Sequence, residues 1–168
     1  MTKRKIDILL ESYGESHQNP TNKLIHWICV PVIMFTLMGL LYLVPLPFAF
    51  LPDSCQNFAF IAVLFTLIYY GTLSFSLFLG FLGIGLGLVL GNHYLYNLIV
   101  HQYNLSYLLF CILVFVLAWI GQFIGHHIEG KNPSFLKDLQ FLLVGPAWLL
   151  HFIFKKIGRQ FFIKHIAS

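Results

Sequence analysis

The sequence has few charged residues for its length. Asp, Glu, Lys and Arg together make up 10% of the 168 residues, whereas a soluble domain carries about a quarter. Hydrophobic residues make up 58%, and the mean hydropathy is +0.80. So short a chain cannot hide this much apolar surface in a water-soluble core. We therefore expect an integral membrane protein, with a single domain over residues 1–168 that is surrounded mostly by lipid.

Cysteines and the short motifs of common enzyme classes are also scarce. The three cysteines, Cys29, Cys55 and Cys111, have no metal-ligand or redox spacing, and their odd number argues against a disulfide framework. There is no Gly-x-Ser-x-Gly elbow, no credible nucleotide-binding glycine motif and no carboxylate pair of the glycosidase type. The basic N-terminus is not followed by the apolar segment of a cleavable signal peptide. These absences argue against secreted disulfide scaffolds, nucleophilic hydrolases and nucleotide-binding domains.

Basic residues are absent from a long central stretch. The sequence has ten Lys and Arg residues, and none of them lies between Lys23 and Lys131. If the chain crosses the membrane four times, both basic ends lie on one side, which the positive-inside rule assigns to the cytoplasm. A fifth span would move the basic C-terminal tail to the other side. The charges therefore predict four spans, cytoplasmic termini and contacts with membrane lipids, and they do not indicate nucleic-acid binding.

Long apolar stretches lie between the two basic ends. The first span is predicted from Leu24 to Tyr42, and the block Phe58–Val100 is long enough for a hairpin of two helices. The turn of this hairpin is expected in the glycine-rich stretch Gly80–Gly87. Alternatively, Gly83 and Gly87 form a GxxxG face for close helix packing.

Shorter segments complete the predicted bundle. Residues 6–13 show the spacing of an amphipathic helix at the membrane surface. The fourth span is predicted from Ser106 to Ile124. The last apolar stretch, Phe141–Phe154, is short for a full span and contains Pro146, so we expect a re-entrant or interfacial helix. The predicted fold is an all-α integral membrane bundle of about four transmembrane helices with these two additional helices.

Four of the eight histidines lie at the predicted cytoplasmic ends of spans. His17 and His26 flank the entry to the first span, and Asn22 shares a helix face with His26. His126 and His127 lie at the exit of the fourth span. The four-span topology places both segments on the same side of the membrane, although they are far apart in the sequence. We therefore expect these histidines to lie close together.

Such a cluster suits a metal ion. Gln122, His126 and Glu129 follow helical spacing and form a polar stripe at the end of the fourth span. Several imidazoles and a carboxylate at the head of a helical bundle favour a divalent transition metal, either zinc or iron with open positions for oxygen. The alternative is that the histidines are ordinary polar residues at the membrane interface. His93 lies at membrane depth and His101 on the opposite side, so neither is included in the predicted site.

Two segments resemble the signatures of a known family. The N-terminal segment YGESHQNPTNKLIHWICVPVI and the C-terminal segment WIGQFIGHHIEGKNPSFLKDLQFLLVGPAWLL resemble the two signatures of the membrane 2-hydroxy fatty acid dioxygenases, typified by the yeast enzyme of fatty-acid alpha-oxidation. The first signature contains a Tyr, a His, an Asn and a second His before a Pro. The second contains a Trp, a Gln, a Gly-His pair, a Glu and a Pro. The two segments lie near opposite ends of the chain, so the resemblance covers nearly all of it.

The resemblance implies an activity and a set of site residues. The activity is an iron(II)-dependent dioxygenase reaction, in which O₂ is used to shorten a long-chain 2-hydroxy fatty acid by one carbon without 2-oxoglutarate. Carried over by position, the iron ligands are His17, His26 and His126. In the family pattern the Glu follows the Gly-His histidine by four residues. Here Glu129 follows His126 by three, so His127 is kept as a further candidate ligand.

The remaining assignments concern catalysis, substrate and location. Asn22, Gln122 and Glu129 match signature positions and are expected to take part in catalysis. Lys23 and Lys131 are candidates for binding the substrate carboxylate. The yeast enzyme acts in breakdown of a sphingoid base at the endoplasmic reticulum. The tail FFIKHIAS carries no retrieval signal, which favours a bacterial inner membrane as the alternative.

Two other function classes are considered. The first is another lipid-modifying metalloenzyme, such as a zinc hydrolase or a membrane hydroxylase. Diiron hydroxylases of membranes carry several HxxxH or HxxHH motifs, and this sequence has none. The second is a transporter or scaffold without enzymatic activity. A transporter needs polar residues along a path through the membrane, and few residues besides Asn92, His93 and Asn97 are polar at that depth.

Overall fold

The computed structural model describes residues 5–15, 17–47, 51–130 and 143–156. These residues form six α-helices and no β-strand, which confirms the predicted all-α class. The helices are α1 (Lys5–Glu15), α2 (Pro20–Tyr42), α3 (Phe58–Leu73), α4 (Phe75–Asn97), α5 (Tyr107–Ile128) and α6 (Val144–Lys156). A 3₁₀ turn at Asp53–Cys55 precedes α3, and a π-helical turn at Leu98–Gln102 extends α4.

Three of the helices are long and apolar enough to cross a bilayer. They are α2, α4 with its π-helical extension, and α5. Helix α3 is apolar but has only 16 residues, so it is about 24 Å long, short of the roughly 30 Å hydrocarbon core. Helix α6 has 13 residues and is shorter still, as expected for a helix that does not span. The large number of exposed Leu, Ile and Phe side chains on the long helices is that of a lipid-facing surface.

The predicted turn at Gly80–Gly87 is wrong, because α4 runs unbroken through it. The hairpin turns at Ser74, whose extended backbone (φ −167°, ψ 131°) ends α3 and begins α4. At two of these glycines, the missing side chain makes room for a residue of a neighbouring helix. A Cβ on Gly85 would lie 2.6 Å from Val63 of α3, and a Cβ on Gly80 would collide with Leu150 of α6. Gly83 and Gly87 have no neighbour within 4 Å of such a Cβ among the described residues, so the GxxxG face contacts no described part of this chain.

Small residues also bring α2 and α5 together. Among the described helices, these two share the most extensive contact. A Cβ on Gly121 would lie 2.7 Å from the Cys29 sulfur, and a Cβ on Gly125 would collide with Asn22. In lipid, where helices gain little from burying apolar surface against each other, such close packing is a main source of association. Residues at the N-terminal end of α2 and the C-terminal end of α5 are thereby held within side-chain reach.

Helices α1 and α6 cover one end of the bundle. Ile6 and Tyr13 of α1 are buried, and α6 is buried along its whole first half, Val144–Leu150. Tyr13 packs with Val144 and Trp148 of α6, and the Tyr70 hydroxyl near the end of α3 donates a hydrogen bond to the Leu143 carbonyl. The N-terminus of α2, the α3–α4 junction and the C-terminus of α5 therefore lie at the same end of the molecule as α1 and α6.

Candidate metal centre

Three buried histidines converge at this covered end. His17 lies in the loop before α2, His26 on the second turn of α2, and His126 on the last turn of α5. Their side chains are only 2%, 1% and 6% exposed. One ring nitrogen from each lies within 4.8 Å of the corresponding nitrogen of the other two. Among the residues described, this is the one group of three or more metal-binding side chains that meets this spacing.

The rings meet edge to face instead of stacking on one another. The ring centroids are 4.3 Å apart for His17 and His26, 5.0 Å for His26 and His126, and 5.5 Å for His17 and His126. The interplanar angles are between 64° and 81°. Steeply inclined rings of this kind can aim nitrogen lone pairs at a shared point, whereas parallel stacked rings cannot.

Backbone carbonyls fix the tautomers of two of these histidines. His17 Nδ1 lies 2.7 Å from the Tyr13 carbonyl oxygen, and His26 Nδ1 lies 3.0 Å from the Asn22 carbonyl oxygen. A carbonyl only accepts, so each Nδ1 carries the proton and Nε2 keeps its lone pair. Metal-binding histidines have this arrangement, in which the outer N–H bonds a carbonyl and the inner nitrogen binds the ion.

Aromatic side chains from α1 and α6 cover the histidines. The Tyr13 ring stacks on His17 with centroids 4.1 Å apart and an interplanar angle of 15°. The Trp148 ring lies 5.6 Å from His17 and 5.4 Å from Tyr13. These rings keep bulk water from one side of the cluster and hold the His17 ring in place.

Glu129 joins the two segments that carry the histidines. Its carboxylate accepts hydrogen bonds from the backbone N–H of Gln18 (2.7 Å) and of Asn19 (2.9 Å), and from Asn22 Nδ2 (2.9 Å). Partial burial alone raises the pKa of Glu129, but these hydrogen bonds and nearby His17 outweigh it. The pKa therefore lies below its ordinary value of 4.5. Glu129 is thus a charged clamp between α5 and the start of α2.

The predicted site residues differ in where the structure places them. Asn22 is fully buried and bonds Glu129 through its side chain and His26 through its carbonyl. Gln122 is also buried, one turn before His126 on α5. Glu129 lies beside the cluster but outside the group of three ligand atoms. Its carboxylate oxygens accept hydrogen bonds from the loop before α2 and from the Asn22 side chain.

Other candidates lie away from the three histidines. His127 is exposed, because neighbouring residues of a helix point to different faces, and it is not part of the cluster. Lys23 is half-buried on the first turn of α2, and Lys131 lies outside the described residues. His93 contacts the Tyr42 hydroxyl at the other end of α2, about 24 Å from His26 along the helix. His101 packs on Tyr96 beside it.

Of the two residues that cover His17, Tyr13 could be predicted from the sequence and Trp148 could not. Tyr13 precedes His17 by one helical turn and belongs to the first signature, so a contact with His17 was foreseeable from spacing. No spacing in the sequence relates Trp148 to the histidines. Its contact with His17 joins parts of the chain that are far apart in sequence, and no local pattern encodes it.

The donor set fits a divalent transition metal. Three imidazoles, all buried and with inclined rings, match the protein ligands of a catalytic centre that keeps open positions. The separations of up to 4.8 Å exceed those in a closed coordination shell, where metal–nitrogen bonds are about 2.1 Å. A small inward movement of the side chains is enough to close them around an ion.

Comparisons with known proteins found matches over most of the chain. The sequence profile of the Mpo1-like family, described as 2-hydroxy-palmitic acid dioxygenase Mpo1-like, matches residues 4–157. The 2-hydroxy-palmitic acid dioxygenase MPO1 of Saccharomyces cerevisiae is 33% identical over 149 residues, covering 85% of this chain and 76% of the yeast protein. No solved structure matches at a significant level. With both signatures inside the matched region and nearly the whole chain covered, this protein belongs to the Mpo1-like family.

Proposed function

We propose that this chain is a membrane-bound, iron(II)-dependent dioxygenase that shortens a 2-hydroxy fatty acid by one carbon. The observation that carries the proposal is the buried cluster of His17, His26 and His126 in a member of the Mpo1-like family. The yeast relative, a 2-hydroxy-palmitic acid dioxygenase, supplies the substrate class. The three histidines would hold the iron.

The proposed reaction balances without an added reductant. A 2-hydroxy acid and one O₂ give the acid one carbon shorter, CO₂ and water. The bond between the carboxyl carbon and the hydroxyl-bearing carbon breaks, and the hydroxyl-bearing carbon becomes the new carboxyl group. Oxidation of these two carbons supplies all the electrons that O₂ takes up. Iron(II), when bound, would supply the activation of O₂ that this oxidation needs.

The protein residues have separate tasks in this proposal. The Tyr13 and Asn22 carbonyls hold the protons of His17 and His26 on Nδ1, which keeps both inner nitrogens available as ligands. Tyr13 and Trp148 exclude water on one side of the centre. Glu129 keeps α5 and the α2 loop at a fixed separation. Lys23 is the described cation closest in sequence to these groups and would attract the substrate carboxylate.

The position of the cluster suits an amphiphilic substrate. A long-chain 2-hydroxy acid inserts its tail in the bilayer and keeps its hydroxyl and carboxylate at the interface. The histidines lie at one end of a bundle whose long helices face lipid, so the polar head would meet them there. We assign this end to the cytoplasmic side of a bacterial inner membrane or endoplasmic reticulum, because no Lys or Arg lies between Lys23 and Lys131 and basic flanking segments favour the cytoplasm. A reporter at the C-terminus that faces outward would contradict this orientation.

The test is to load purified protein with iron(II) or zinc and to follow O₂ uptake and product chain length with 2-hydroxyhexadecanoic acid. We expect pentadecanoic acid only with iron, and no chain shortening with zinc. Three histidines with an open position also suit a catalytic zinc ion. Protein that purifies with stoichiometric zinc and cleaves a lipid ester or amide without O₂ would replace the dioxygenase proposal with a hydrolase.

A further inference from the structure

A partly enclosed apolar cavity lies between α2, α3 and α4. Its volume is about 50 Å³. The lining residues come from all three helices and from the start of α6, and include Met34, Met38, Leu67, Tyr70, Leu88 and Leu143. A cavity that holds several water-sized groups and is almost wholly apolar is unsuited to water. It is suited to hydrocarbon.

We propose that this cavity binds the terminal carbons of the substrate's alkyl chain and thereby measures chain length. The inference rests on the proposed function, since the occupant is the tail of the same 2-hydroxy fatty acid. A volume of about 50 Å³ accommodates only the end of a long tail. The cavity therefore contacts only the last few carbons of the alkyl chain and does not enclose the whole chain.

The polar atoms in the lining are already satisfied. The Thr66 hydroxyl donates to the Ala62 carbonyl at 2.8 Å, and the Tyr70 hydroxyl donates to the Leu143 carbonyl. Neither hydroxyl needs a hydrogen bond from a ligand. A polar headgroup placed here would lose its hydration without replacement, so the occupant is hydrocarbon.

One ridge of α2 connects the metal centre to the cavity. His26, Val30, Met34 and Met38 follow each other at intervals of four residues and form a continuous row on the helix. Val30 packs with the Tyr13–Val144–Trp148 cluster that covers the histidines, and Met34 and Met38 line the cavity. The row leads from the proposed metal ligand to the cavity along apolar side chains.

Helix α6 provides a second connection between the two sites. Leu143 lines the cavity, and the next residue, Val144, belongs to the cluster with Trp148. Trp148 in turn lies 5.6 Å from His17. A series of apolar contacts therefore links the histidines to the cavity on the α6 side as well as on the α2 side.

The spacing along α2 predicts the preferred tail length. From His26, Met34 lies about 12 Å and Met38 about 18 Å along the helix axis. An extended chain of single bonds advances by about 1.2 Å per bond, as the protein backbone does. The separation therefore corresponds to roughly 10 to 15 bonds. A 2-hydroxy acid with its head at the histidines reaches the cavity only if it is a long-chain acid.

Paired substitutions on α4 test the proposal. Leu88→Phe fills the cavity, whereas Leu86→Phe adds the same bulk at a lipid-facing position that is 60% exposed. The measured quantity is the ratio of kcat/KM for 2-hydroxyhexadecanoic acid to kcat/KM for 2-hydroxydecanoic acid. We expect Leu88→Phe to lower this ratio by roughly tenfold. Leu86→Phe should leave this ratio unchanged. An unchanged ratio in Leu88→Phe, or equal shifts in both variants, would overturn the proposal.

Crosslinking in the unaltered protein tests the same point without a risk of misfolding. A 2-hydroxyhexadecanoic acid that carries a diazirine at its terminal carbon should label Met34, Met38 or Leu88. Labelling confined to lipid-facing residues such as Leu86 would overturn the proposal. A protein that is labelled in the cavity but shortens no 2-hydroxy acid would instead contradict the proposed function, so the two failures are distinguishable.

Discussion

The Asn22 side chain and the Glu129 carboxylate form a 2.9 Å hydrogen bond between the start of α2 and the end of α5. The backbone carbonyl of the same Asn22 accepts the Nδ1 proton of His26. One residue thus links the carboxylate clamp to a proposed metal ligand. A carboxylate outside the group of three histidines is thereby coupled through Asn22 to one of them.

Glu129→Gln should weaken metal binding without abolishing it. Gln18, Asn19 and Asn22 all donate hydrogen bonds to the carboxylate, and an amide nitrogen in place of one oxygen would oppose donors. We expect iron(II) affinity to fall by about 10- to 100-fold, as for other residues that orient metal ligands. Anaerobic metal titration measures this, with Glu11→Gln on exposed α1 surface as the control. Full metal affinity combined with lost turnover would show that Glu129 contacts substrate instead.

The contribution of Glu129 to stability should depend on pH. The folded-state pKa is lowered from the ordinary value of 4.5, so the unfolded state takes up protons first as the pH falls. The stabilisation is therefore fully present above about pH 4.5 and is lost as the pH falls through the lower folded-state value. Denaturation of metal-free protein should show wild type more stable than Glu129→Gln at neutral pH, with the difference shrinking in acid. A difference that stays constant down to pH 3 would refute this electrostatic role.

Adjacent histidines at the end of α5 should respond oppositely to alanine. His126 is buried in the cluster, whereas His127 is exposed. His126→Ala removes a proposed ligand and should lower iron affinity by more than about a hundredfold, with loss of turnover. His127→Ala should change stability by no more than about 0.5 kcal/mol and leave activity near wild type. Equal losses in both variants would mean that the site extends to His127.

Two glycine-to-alanine substitutions separate packing at the site from general helix effects. A Cβ on Gly125 would collide with Asn22, whereas a Cβ on Gly83 meets no described atom within 4 Å. Gly125→Ala should destabilise the protein by about 1–3 kcal/mol and weaken metal binding. Gly83→Ala should stabilise α4 by about 0.5–1 kcal/mol. Thermal denaturation in detergent distinguishes them, and a destabilised Gly83→Ala would indicate a packing partner on that face.

Much of the architecture was predictable because membranes impose strong rules on sequence. The gap in basic residues between Lys23 and Lys131 favours a topology with both basic segments on one side, and this topology predicts that His17, His26 and His126 are neighbours. The hairpin turn was predicted in the wrong place. Glycine signals both turns and close packing, and only the three-dimensional neighbours Val63 and Leu150 show which applies.

The details of the site depend on contacts that no local pattern encodes. Trp148 reaches His17 because α6 folds back on α1. The role of Glu129 as a clamp depends on the α2 loop lying opposite the end of α5. Sequence spacing grouped Glu129 with His126 on one helix stripe, and the family resemblance implied a part in catalysis. In the structure, its carboxylate oxygens accept hydrogen bonds from two backbone N–H groups and the Asn22 amide. Its catalytic role stays a prediction.

The most direct test of the central proposal is a single turnover with defined components. Protein loaded anaerobically with one iron(II) is mixed with 2-hydroxyhexadecanoic acid labelled at its carboxyl carbon, and O₂ is then added. The account predicts labelled CO₂ and unlabelled pentadecanoic acid in equal amounts, both absent in His126→Ala and present in His127→Ala. Recovery of the intact sixteen-carbon acid from iron-loaded wild type, or the same products from His126→Ala, would contradict it.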